Sequence, residues 1–290
     1  TKVSALDATQ VGAFTTTQIG GLTTTQIGAM TTTDIGEFAD TQIGAFSTTQ
    51  LQALSSTNFS ALAQAQIAAL SMTQISRMTA TQIGGLNTTD IAEFADTQIG
   101  ALTNTQIGSL STTNFSALDA TQVAGLSTTQ VAGLSTTLIR GLNETDIAEL
   151  STTQLRSLNA TQIGSLTATA FSALDSTQVA SLTSTQLTGV TTTQIAALTT
   201  GDVAELSSTQ LSTLASTQLG AFTTTNIAAL DLTQVSGLTS TQISRLSTTN
   251  LSALDGSQIS SLMSVVLMTD NWVVMRPPTS TSLLTRRLRR

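Results

Sequence analysis

An eight-residue repeat constrains the fold of this chain more than any other feature. Starting at Gln10, a polar position recurs every eighth residue without a slip as far as Gln258. Gln fills 22 of these 32 positions, Asn four and Asp four, and the two exceptions are Leu138 and Ala170. An apolar residue always follows this position, and a second apolar residue comes three residues later. A short repeat of this kind predicts stacked units that bury a continuous core, which is a solenoid.

The register also predicts the organisation of the chain. No insertion interrupts the octads, so we expect one octapeptide-repeat solenoid of 32 repeats over residues 4–262. Residues 263–290 form a separate non-repeat segment. There, Val265–Leu267 and Trp272–Val274 are compatible with a pair of short strands that cap the solenoid. The arginine-rich end of this segment is either a basic tail that contacts an acidic or anionic surface, or a solvated terminus.

Each octad carries the features of a helix N-terminus. The residue after the second apolar site is Ser, Thr, Asp or Asn in 28 of 32 repeats, which are the preferred N-cap residues. The Gln-type position lies three residues later, where the partner of a capping box is expected. Two small residues follow the first apolar site and would let neighbouring helices pack closely. The pattern therefore predicts an all-α solenoid of very short capped helices, one per octad, which persist only by packing on one another.

A β-solenoid with 16-residue coils is the alternative. Thr and Ile favour strands, and Ser, Asp and Asn favour turns. The two apolar sites are three and five residues apart, so a flat strand would place them on opposite faces unless each octad contains a turn. Only in this alternative would the regular Thr columns form a flat hydroxylated face that is able to bind ice.

Composition excludes several classes of function. The chain contains no His, Cys or Tyr, which removes the usual nucleophile systems, thiolate or His-ligated zinc, and the commonest general base. The repeat region has a net charge near −11, which argues against a nucleic-acid partner. No apolar run is long enough to span a membrane. We therefore expect no enzymatic activity, no catalytic residue and no cofactor.

A longer period of seven octads places acidic residues at regular intervals. Two readings are open. One is a carboxylate ladder that binds a cation such as calcium, and the other, which the sparse ligand set favours, is a relic of block duplication. The weak candidate metal ligands are Asp34, Glu37, Asp90, Glu93, Asp146, Glu149, Asp202 and Glu205.

The octads resemble the Thr/Gln-rich arrays of the form LTTxQIxAL that occur in very large bacterial secreted or surface proteins. The resemblance covers residues 4–262 and implies an extracellular or cell-surface location. We therefore expect a non-enzymatic structural segment, a rod or filament, that associates with itself head-to-tail or laterally. With three octads per coil, the rod would be roughly 100 Å long. A binding module, such as an adhesin arm, is the alternative function.

Overall fold

The structure, a computed structural model, describes residues 3–268, with side chains described as far as Met263. The predictions for Trp272–Val274 and for the basic tail lie outside the described residues. The chain divides into two compact units, residues 1–157 and 158–290. Within the described residues there are 32 α-helices and no strand, so the predicted all-α solenoid of one short helix per octad is confirmed. The β-solenoid alternative is wrong. Ice binding was expected only for a β-solenoid, so this expectation loses its structural basis.

A 3₁₀ turn, Val3–Ala5, precedes the helices of the first unit. These are α1 (Ala8–Gly12), α2 (Thr16–Gly20), α3 (Thr24–Gly28), α4 (Thr32–Gly36), α5 (Asp40–Gly44), α6 (Thr48–Ala53), α7 (Ser56–Ser60), α8 (Gln64–Ala68), α9 (Met72–Arg77), α10 (Ala80–Gly84), α11 (Thr88–Ala92), α12 (Asp96–Ala101), α13 (Asn104–Ile107), α14 (Thr112–Phe115), α15 (Ala120–Gly125), α16 (Thr128–Ala132), α17 (Thr136–Gly141), α18 (Glu144–Ala148) and α19 (Thr152–Ser157).

The second unit continues the same octad register. Its helices are α20 (Ala160–Ser165), α21 (Ala168–Ser172), α22 (Ser176–Ser181), α23 (Ser184–Leu187), α24 (Thr192–Ala197), α25 (Thr200–Glu205), α26 (Ser208–Thr213), α27 (Ser216–Leu219), α28 (Thr224–Ala228), α29 (Leu232–Ser236), α30 (Ser240–Arg245), α31 (Thr248–Ser252) and α32 (Gly256–Met268).

The corner between consecutive helices is made by two extended residues, the second apolar residue of the octad and the N-cap. Leu54 (φ −65°, ψ 137°) ends α6, and Ser55 (φ −64°, ψ 159°) starts α7. Because these residues leave the helical region, the chain turns after every four to six helical residues. A helix this short has few internal hydrogen bonds, so its stability depends on the cap and on packing.

Within each unit, each helix packs on the helix three octads further along. Examples are α2 on α5 and α3 on α6 in the first unit, and α21 on α24 and α22 on α25 in the second. One turn of the solenoid therefore contains three octads. A corner consequently lies next to the corner formed three octads earlier, and the same octad position recurs at each corner.

The core consists of the two apolar columns. The first column, as at Ile19 and Ile83, is fully buried along most of the chain, and the second, as at Met30 and Leu102, is buried from the second turn onward. The two small residues that follow the first apolar residue of each octad allow neighbouring helices to pack closely, as the sequence predicts. A Cβ built on Gly189 would lie 1.9 Å from the backbone oxygen of Ala160, so this contact between α20 and the end of α23 requires glycine.

The strand predicted at Val265–Leu267 is wrong, because these residues belong to α32. This helix has 13 residues, whereas the other helices of the described chain have four to six. It begins as an ordinary octad helix at Gly256 and continues past the point where the octad pattern stops. After Leu262, Met263 occupies the N-cap position and Val266 the Gln-type position, so both partners of a capping box are missing, a corner does not form there, and the helix extends.

Candidate functional site

The corner of the solenoid is where the polar side chains of the octad converge. At Gln82, the Oε1 atom accepts a hydrogen bond from the backbone N–H of the N-cap Thr79 (2.9 Å). In return, the Thr79 hydroxyl accepts from the backbone N–H of Gln82 (3.1 Å). This is the capping box that the sequence predicts.

The other end of the Gln82 side chain bonds to the preceding turn. Its Nε2 donates to the backbone oxygens of Leu51 (2.7 Å) and Leu54 (2.9 Å), which lie 31 and 28 residues earlier. Gln82 is 2% exposed, so these bonds are shielded from water. One amide group thus caps its own helix and fastens one turn of the solenoid to the next.

This pair of acceptors recurs through both units, and we call the series the glutamine ladder. Its members with both acceptors include Gln42, Gln50, Gln66, Gln82, Gln98, Gln106, Gln122, Gln130, Gln154, Gln194, Gln210, Gln218, Gln234 and Gln242. Sequence reasoning found the capping box but missed these turn-to-turn bonds. The sequence does carry a signal for these bonds, because Glu is absent from the 32 positions although it serves a capping box as well as Gln does.

The acidic candidates of the seven-octad period occupy corners where Asp replaces Gln. The carboxylate of Asp90 accepts from the backbone N–H of Asn87 (2.8 Å) and from the hydroxyl of Ser60 (2.5 Å), which lies one turn earlier. The same two contacts form at Asp146, with Asn143 and Ser116, and at Asp202, with Thr199 and Ser172. These three Ser residues share the seven-octad period, which was the signal that sequence reasoning overlooked.

Asp34 belongs to the same series. Burial works to raise the pKa of its carboxyl, but hydrogen bonds from the Thr31 backbone and from the hydroxyls of Ser4 and Thr31 outweigh burial and hold the pKa below its ordinary value. Asp34, Asp90 and Asp146 are buried and all lie in the first unit. Because seven octads are not a whole number of three-octad turns, these aspartates lie at three different corners rather than forming a continuous column.

The glutamates follow the aspartates by three residues, at the ends of their helices. Burial, and then Asp90, raises the pKa of Glu93. Burial raises the pKa of Glu149 and of Glu205 in the same way, and each has two neighbouring aspartates that add to the effect. The Oε2 atom of Glu205 is buried and lacks a hydrogen-bond partner among the described residues. Glu37 occupies the equivalent position after Asp34 and is half-buried.

The structure therefore brings Asp90, Asp146 and Asp202 close to the Glu three residues later, but it commits these aspartates to capping and to the Ser contact. In the part of the chain that the structure describes, no three His, Cys, Asp or Glu side chains come together as a metal site. An open depression of about 490 Å³ in that part is lined by Thr224, Thr248, Thr249, Ser252 and Ala253, and this lining has no charged group. No helix within residues 3–268 is both long and apolar enough to cross a bilayer.

Comparison with known families identifies the octad. Residues 3–32 and 195–232 match the model of the ALTTAQ repeat. One match lies in each unit, and together they cover less than half of the chain. They confirm the resemblance to a Thr/Gln-rich array, because the ALTTAQ segments carry the same capping-box octad as the residues between them. No curated protein matches the chain.

Proposed function

We propose that this chain is a non-enzymatic structural segment of an exported bacterial surface protein. The observation that supports this most strongly is the glutamine ladder, which repeats the same two turn-to-turn bonds in both units. At Gln98 in the first unit, Nε2 donates to the oxygens of Ile67 (2.8 Å) and Leu70 (3.0 Å). At Gln234 in the second, it donates to Val203 (2.8 Å) and Leu206 (2.7 Å).

A structural role also fits the use of the polar groups. The buried Gln and Asp side chains of the octads are engaged in capping and in joining turns, which leaves them unavailable for chemistry. The repeat match and the helical repeat architecture likewise suggest a non-catalytic protein. The proposed role is that of a rod-like spacer, in which length follows from the number of octads.

Small-angle X-ray scattering of the purified chain tests the spacer role. We expect a scattering profile of an elongated particle whose length decreases in proportion when an internal block of three octads, one complete turn, is removed. A compact globular profile would contradict the proposal. Location is tested separately by antibody labelling of intact cells that carry the parent protein, where labelling only after lysis would contradict a surface role.

Self-association is part of the same proposal. The bonds that join turns within one copy offer a means of joining two, because a glutamine amide needs only backbone oxygens as acceptors. Analytical ultracentrifugation and electron microscopy at increasing concentration test this. Growth into longer particles is expected, and monomers at all concentrations would contradict it.

A further inference from the structure

The glutamine ladder has breaks, and these breaks are arranged in columns. Ten of the 32 corner positions lack Gln. Many of them lie one turn, or three octads, apart and therefore at the same corner. In the first unit Asn58 follows Asp34 in this way, and Asn114 and then Leu138 follow Asp90. In the second unit Asn226 and then Asn250 follow Asp202. Each column starts with an Asp of the seven-octad period.

An Asp corner lacks the two ladder bonds that hold a Gln corner to the turn before it. At the neighbouring Gln98 corner, one side chain accepts from the Ala95 N–H (3.0 Å) and donates to two backbone oxygens of the earlier turn. At the Asp90 corner, the carboxylate accepts from Asn87 but cannot donate, so no ladder bond reaches the equivalent oxygens, those of Phe59 and Leu62. Instead, this carboxylate accepts from the Ser60 hydroxyl of the earlier turn, and Nδ2 of Asn87 makes a long contact with the same hydroxyl (3.5 Å).

Repulsion between two carboxylates further weakens the Asp90 corner. Asp90 is 7% exposed, and Glu93 at the end of the same helix is half-buried beside it. Two carboxylates that share a partly desolvated corner destabilise each other when both are ionised. The raised pKa of Glu93, caused first by burial and then by Asp90, agrees with this geometry. The Gln98 corner has a half-buried Ala101 at the position of Glu93 and avoids the repulsion.

The Asn corner one turn later is also incomplete. The amide of Asn114 donates to the backbone oxygen of Leu86 (2.5 Å), which keeps one turn-to-turn bond. Its shorter side chain makes no return bond to the backbone of the N-cap Ser111, so the capping box is only half formed. Each column therefore weakens the same corner in two successive turns.

We infer that the aspartate corners are built-in opening points, at which the solenoid loosens before the stretches of glutamine ladder between them. Opening starts at the corners of Asp90, Asp146 and Asp202, at intervals of seven octads, and the ladder stretches open later as blocks. The device follows from the hydrogen bonds of the fold and does not depend on export or surface display. In a protein that carries load, it divides the array into segments that yield one at a time.

Hydrogen–deuterium exchange of the intact chain, read by mass spectrometry with residue-level fragmentation, tests the inference. The amides to compare are those of two N-caps whose side chains both cap their helices, Asn87 at an Asp corner and Thr79 at the preceding Gln corner. The Gln82 corner has two ladder bonds, whereas the Asp90 corner has the Ser60 bond, a long contact from Asn87 Nδ2 to Ser60 Oγ (3.5 Å) and repulsion between two carboxylates, so we expect severalfold faster exchange at Asn87. The same difference is expected at the other two aspartate corners. Equal rates at Asp and Gln corners would overturn the inference.

A reciprocal pair of variants makes the test independent of other differences between the corners. Asp90→Gln with Ser60→Ala installs the ladder side chain where it is missing. Gln98→Asp with Ala68→Ser reproduces the Asp–Ser pair one octad later, since Ala68 occupies the same position relative to Gln98 as Ser60 does relative to Asp90. The fast-exchanging region should disappear in the first variant, and a new one should appear at α12 and its N-cap in the second.

The controls keep the result interpretable. Far-UV circular dichroism first establishes that each variant is folded. If either double variant does not fold, the wild-type comparison of the three aspartate corners with their glutamine neighbours decides alone. Exchange patterns that stay unchanged in two folded variants would overturn the inference, because the corner residue would then not control opening.

Discussion

Replacing Gln82 by Glu separates the two roles of the ladder side chain. Glu has the same length as Gln and keeps a side-chain oxygen at the position of Oε1. In the wild type this oxygen accepts from the backbone N–H of Thr79 (2.9 Å) and from its hydroxyl (3.1 Å). It removes the Nε2 group that donates to Leu51 and Leu54. Any loss of stability in Gln82→Glu therefore reports the lost turn-to-turn bonds and the burial of a charge in their place, rather than the cap.

The expected magnitude follows from the environment of the side chain. Two neutral hydrogen bonds contribute about 2 kcal/mol together. The new carboxylate would lie almost fully buried and face two backbone oxygens, so desolvation and repulsion add to the loss. We expect the turn that contains Gln82 to lose about 4 kcal/mol of stability at pH 7.

Gln18→Glu is the matched control. Gln18 has the same Thr cap, with the same distances of 2.9 Å and 3.1 Å, but its side chain is exposed and its bonds to other described residues stay within its octad. A carboxylate near a helix N-terminus is neutral or slightly favourable, so this variant should change stability by no more than about 0.5 kcal/mol.

Acid should rescue Gln82→Glu but not affect the control. Burial raises the folded-state pKa of the new carboxyl above its value in the unfolded chain, so the part of the destabilisation that comes from the charge develops as pH rises towards the folded-state pKa and is absent at low pH. A protonated carboxyl also regains one O–H donor for a backbone oxygen. Urea unfolding followed by circular dichroism at pH 7 and pH 4, with hydrogen exchange to locate the weakened turn, measures both effects. Equal losses in the two variants, or no recovery in acid, would refute the role of the ladder.

Four other substitutions have defined expected outcomes. Ala95→Ser supplies the missing N-cap oxygen of α12 and should raise the urea midpoint by the equivalent of about 1 kcal/mol; an unchanged midpoint would contradict it. Gly189→Ala should destabilise its turn because the added Cβ meets the oxygen of Ala160, whereas Gly36→Ala, with open space around it, should stabilise slightly in the same thermal melts. Burial and two neighbouring aspartates raise the pKa of Glu205, so its ionised form opposes folding above that pKa. Glu205→Gln should therefore raise stability at neutral pH and reduce the gain in stability that the wild type shows on acidification. Identical pH profiles of stability in the two proteins would contradict this.

The sequence predicted the local unit of this fold better than its assembly. Capping boxes, such as Thr79 with Gln82, depend on residues three apart, so the pattern of one octad is sufficient to predict them. The number of octads per turn is decided by the angle at each corner, which the extended pair Leu54 and Ser55 sets and which no single octad encodes. The Ser60–Asp90 contact joins two successive turns and becomes predictable only once a turn is known to contain three octads.

The composition of the ladder column shows which of its two tasks the repeat preserves. A capping box accepts Glu and Gln equally, yet the 32 positions include 22 Gln and no Glu. Asn retains a donor to the earlier turn, as at Asn114, and Asp retains the return bond to the cap, as at Asp90, so each shorter residue keeps one task. Glu has the length of Gln and lacks only the donor. Its absence therefore points to the turn-to-turn bond as the essential interaction, and that bond has a purpose only in a stacked solenoid.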